Sequence, residues 1–143
     1  MLTLYSSARI LNYNFGGVAY PSPLPTSYFF GLLTNTSALD FTTPTPTEPS
    51  GAFGYVRKEY INNKIAAVGW QDAQNDGTLK NLAEIQFPIS TGDWTTIYKI
   101  GLFDQLTGGN LWWWDDLTSN RTVPASTQVI FAINSITVRF NNT

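Results

Sequence analysis

The sequence predicts a mainly β domain, an antiparallel β-sandwich with one short N-terminal helix. Seven or eight apolar runs of strand length follow one another after residue 27, separated by turn residues. The polar positions are dominated by 18 Thr and 12 Asn, which favour strands and turns respectively. Only the start of the chain has helical spacing. A chain of 143 residues without internal repeats makes a single domain, residues 1–143.

In residues 1–17, Leu4, Ala8 and Leu11 recur on one helical face, Ser6 or Ser7 can cap the first turn, and Gly16-Gly17 stops the helix. Residues 21–26 hold three prolines and must be extended or turned. Tyr28-Phe29-Phe30-Gly31-Leu32-Leu33 is a continuous apolar run, the pattern of a strand buried on both faces. Residues 34–51 are rich in Thr and Pro and include Thr43-Pro44-Thr45-Pro46-Thr47. Proline cannot feed a sheet ladder, so this stretch reads as a long polyproline-like loop. Long loops are often functional. This one, through Pro44 and Pro46, is a candidate arm lying on a neighbouring protein.

Residues 53–61 read as a second strand and residues 66–70 as a short third. Asn75-Asp76-Gly77 is a turn signal. Residues 83–88 form a strand ended by Pro88. Residues 96–103 alternate, with Tyr98, Ile100 and Leu102 on one side. Gly108-Gly109-Asn110 then turns the chain into Leu111-Trp112-Trp113-Trp114, the best hairpin in the sequence. Val129, Phe131 and Ile133 are in phase, as are Ile136, Val138 and Phe140, but the phase slips at Asn134-Ser135. With a side-chain period of two, that slip demands a bulge or turn between two strands.

Charged residues make up 13% of the chain, against ~25% in ordinary soluble domains. With a net charge of −2, no basic face attracts nucleic acid or an anionic membrane. Arg57-Lys58, a basic pair beside aromatics, reads as a solvated strand face. There is no Cys for disulfides or thiolate chemistry, and no His as general base or metal ligand. Met1-Leu2-Thr3-Leu4 lacks the basic start of a signal peptide, and no run approaches the ~20 apolar residues of a membrane span. The expectation is a soluble chain made in a host cytoplasm, with no cofactor, nucleic-acid or membrane partner.

Several stretches resemble a group of small tailed-bacteriophage virion proteins, often labelled tail-fibre or virion structural proteins. They are Ile10-Leu11-Asn12 through Phe15-Gly16-Gly17, then Tyr28-Phe29-Phe30-Gly31-Leu32-Leu33-Thr34. Glu48-Pro49-Ser50-Gly51 with Gly54-Tyr55-Val56-Arg57 follows, then Ile85-Gln86-Phe87-Pro88. The strongest is Gly101-Leu102-Phe103-Asp104 through Thr107-Gly108-Gly109-Asn110-Leu111. The motifs recur in order over nearly the whole chain. The family usually has a small or polar residue near Trp113 or Trp114, whereas here three tryptophans run together. The resemblance implies a place in the virion.

Trp112-Trp113-Trp114-Asp115-Asp116 is the loudest local feature. Strict alternation puts Trp112 and Trp114 on one face and Trp113 on the other. Three readings compete: both faces covered within the domain, a protein–protein contact, or a sugar-stacking platform with Asp115 or Asp116 accepting hydroxyl bonds. As a glycosidase pair Asp115 and Asp116 are poor, because neighbours on a strand diverge, and Asp104 adds little without a histidine. A calcium site there lacks EF-hand spacing. Ser50, Ser90 and Ser126 lack a His partner and a nucleophile elbow. Asn-X-Thr/Ser matches at Asn35, Asn120 and Asn141 are expected by chance in so Asn/Thr-rich a chain.

The expected function is therefore a non-enzymatic virion structural protein. It would pack on other virion proteins as capsid decoration, or as a neck or tail component. The alternative is a carbohydrate-binding module contacting a host glycan. Five Trp, seven Tyr and nine Phe are hard to hide in one core, so a symmetric homo-oligomer is expected with the tryptophans as anchors. Analogy with phage surface proteins favours a trimer.

Overall fold

The computed structural model describes residues 1–16, 25, 27–61, 69–71 and 78–139. Most of the proline-rich stretch at 21–26, strand residues 66–68, the turn at 75–77 and Phe140 lie outside them.

The protein is mainly β with one N-terminal helix. Helix α1 spans Leu4–Asn14. Its cap is Thr3, not Ser6 or Ser7: Thr3 has the extended backbone a cap requires, and its Oγ1 accepts from the Ser6 N–H at 3.4 Å. Ser6 lies inside the helix and donates its hydroxyl to the carbonyls of Thr3 (3.0 Å) and Trp112 (2.7 Å). The N–H groups of Phe15 and Gly16 bond back to the last turn, and the helix stops there.

Among the described residues eight strands follow: β1 (Ser27–Leu33), β2 (Lys58–Ile61), β3 (Thr78–Lys80), β4 (Ile85–Ile89), β5 (Thr96–Phe103), β6 (Leu111–Thr122), β7 (Gln128–Phe131) and β8 (Thr137–Arg139). A four-stranded sheet runs β2-β1-β5-β6, and the ribbons β3-β8 and β4-β7 make separate pairs. Every pairing is antiparallel. Residues 1–3 line the outer edge of β6, with Leu2 opposite Trp113 and bonds of 3.0 Å from Thr3 N–H to the Trp112 carbonyl and from Trp114 N–H to the Met1 carbonyl.

The main core lies between the sheet and the ribbons. Phe30, Leu32, Ile100, Leu102 and Trp113 pack with Ile85 and Phe87, flanked by Leu79, Val129, Phe131 and Val138. A second, smaller core covers the sheet's other face, made by Leu33, Phe103, Leu111 and Trp114 with Phe29, and with Leu39 from the loop. Both faces of the second half of β1 are therefore buried, as its unbroken apolar run predicts.

Several boundaries differ from the sequence expectations. Residues 53–61 are not one strand. They open with a 3-10 turn at Gly51–Phe53, capped by Ser50 and pinned by Trp94, whose Nε1–H donates to the Phe53 carbonyl at 2.8 Å. Pro88 does not end β4 but sits inside it, where the register with β7 slips between Gln86 and Ile89 and no ladder N–H is needed. In β5 the register slips between Ile97 and Lys99, so Ile97 rather than Tyr98 joins Ile100 and Leu102 in the core. The slip expected at Asn134-Ser135 is a turn, with Asn134 at φ 62°, and strands flank it.

Candidate functional site

Three adjacent indoles on one strand need three separate places. Phe103 pairs with Leu111 and Leu102 with Trp113, so Trp112 is an extra, bulged residue. The bulge overturns strict alternation. Trp113 enters the main core and Trp114 the outer one. Trp112 stands edge-on between Tyr5 and Tyr28, each 5.4 Å away, and donates its indole N–H to Asp104 at 3.1 Å. Exposures are 8%, 2% and 6% for Trp112, Trp113 and Trp114. The domain itself covers all three rings, and none offers a face on which a sugar could stack.

The carboxylates are engaged as well. Asp104 accepts from the backbone N–H of Asn110 (2.7 Å), the Asn110 side-chain amide (2.9 Å) and Trp112. Burial raises its pKa, but these bonds outweigh burial and hold the carboxyl below its ordinary value. Gly109 has φ +70°, and a Cβ there would meet the Asp104 carboxylate at 2.4 Å, so the turn admits only glycine. Asp116 pairs with the buried Lys99, and Asp115 accepts from the Asp116 N–H at 3.0 Å. Asp104 holds the hairpin turn, whereas Asp115 and Asp116 line a groove of about 380 Å³ with Ile100, Phe131 and Arg139. Among the described residues no group of three or more His, Cys, Asp or Glu gathers as a metal site would require.

The Pro/Thr stretch is a loop without helix or strand from residue 34 to 50. It folds back on itself and on its own domain. Thr34 and Thr47 are joined by a backbone bond of 2.8 Å, and Asn35 grips Thr45 and Thr47 at 3.1 and 2.7 Å. The Asp40 carboxylate accepts from the Thr42 and Thr43 N–H groups, which lower its pKa. Phe41 accepts from the Leu4 N–H. Pro44 and Pro46 are half-buried.

A network that residue-by-residue reading missed closes this loop. The Leu32 N–H donates to the Tyr55 hydroxyl (2.8 Å), which donates to Glu48 (2.6 Å). Arg57 grips the Glu48 carboxylate, with Nη2 at 2.6 Å, and also donates to the carbonyls of Gln105 (2.7 Å) and Gly108 (2.8 Å). Its guanidinium lies 3.4 Å from the centre of the Phe103 ring. Burial, then the adjacent Glu48 charge, pushes the Tyr55 phenol well above its ordinary pKa. Gly31 makes room: a Cβ there would lie 2.7 Å from both Glu48 and Phe103. Arg57 is thus a buried clamp and not a solvated basic residue. Glu48, Tyr55 and Arg57 all fall in the paired motifs Glu48-Pro49-Ser50-Gly51 and Gly54-Tyr55-Val56-Arg57, and that signal could have found them.

Leu4, Ala8 and Leu11 are exposed along α1, and Phe15 is exposed just past its end. Over residues 1–139 the chain matches the family described as Podophage GP4 fiber I protein gp80. The chain belongs to this family. No curated protein matches it. As a phage fibre protein it is a component of the virion and associates with other virion proteins. Its likeness to tailed-phage virion proteins, carried by the ordered motifs, thus holds over nearly the whole length. Among the described residues no helix is long and apolar enough to cross a membrane.

Proposed function

We propose that this chain is a non-enzymatic building unit of the phage fibre, joined to other virion proteins through its surface. The family match over residues 1–139 carries this reading. The internal chemistry supports it, since the three tryptophan rings are buried within the domain and Asp104 and Asp116 bond to Trp112 and Lys99. Of the placements open to the sequence, the family description favours the tail fibre over capsid decoration or the neck. The sugar-platform alternative loses its motivating feature because the rings are buried. Self-association into a closed homo-oligomer, a trimer by analogy, belongs to this proposal.

The test is quantitative mass spectrometry of purified particles with labelling of the chain in electron micrographs. A copy number that is a small multiple of the tail symmetry, with label on fibres, is expected. Copies in the hundreds over the capsid, or absence from the particle, would overturn the assignment.

A further inference from the structure

We draw no further inference here: the strongest candidate, the groove of about 380 Å³ between β6 and β8 that Asp115 and Arg139 line, carries nothing, because nothing in the structure shows what occupies it.

Discussion

Strand β6 and helix α1 lie against each other, yet they dispose of their apolar residues in opposite ways. β6 carries three tryptophans and hides all of them, using one bulge to send consecutive rings to three different places. α1 leaves Leu4, Ala8 and Leu11 in water and only half-buries Tyr5 and Ile10. The contrast follows from backbone bonding. The outer edge of β6 presents carbonyls that need donors. Thr3, the cap, and Ser6 supply them, and that demand turns the Ser6 side of α1 inward, with Ile10 half-buried on the same side. Leu4, Ala8 and Leu11, on the opposite side, then face outward. Hydrophobicity alone predicts neither outcome; the location of unsatisfied carbonyls does.

Five measurements test this contrast. Trp113→Ala should have the largest effect, about 3–5 kcal/mol lost in urea unfolding, as for other large-to-small changes in a packed core; a cost below ~1 kcal/mol would show that the strand is not the better-buried partner. Arg57→Ala should cost about 3 kcal/mol, the lower end for breaking a buried pair, since Glu48 keeps some solvent contact. Ser6→Ala should cost about 1 kcal/mol, because the Trp112 carbonyl loses a donor while the helix keeps its Thr3 cap. Acid should act on the hairpin through Asp104. Its folded pKa is depressed, so its contribution is present above the ordinary value of ~3.9 and lost as pH falls through the lower folded value. Trp112 fluorescence should therefore hold at pH 5 and change in strong acid, whereas Asp104→Asn should remove that transition. Leu11→Ser should have the smallest effect on the fold, within ~0.5 kcal/mol; a loss of several kcal/mol would show that the stripe is packed within its own domain.

Much of this architecture was legible in local pattern. The hairpin of β5 and β6 follows from Gly108-Gly109-Asn110 between apolar runs, and the turn at Asn134 from a phase slip. The two-faced burial of β1 follows from six apolar or glycine residues in succession. The bulges at Trp112, Pro88 and Ile97 were not legible, because an extra residue in a strand is set by its partner's register. The clamp was out of reach for a related reason. Glu48, Arg57 and the carbonyls at Gln105 and Gly108 meet only when the sheet brings the loop beside the hairpin. Local reading likewise saw the helical stripe but had no means of knowing which way it would turn.

The Arg57 clamp has one further consequence, for motion. A single guanidinium holds the end of the 34–50 loop on one side and the 105–108 turn on the other. Neither can lift away without releasing the same side chain. The two segments should open as one cooperative unit, so the amide protons of Thr47 and Asn110 should exchange with solvent at matched rates and be accelerated together by Arg57→Ala.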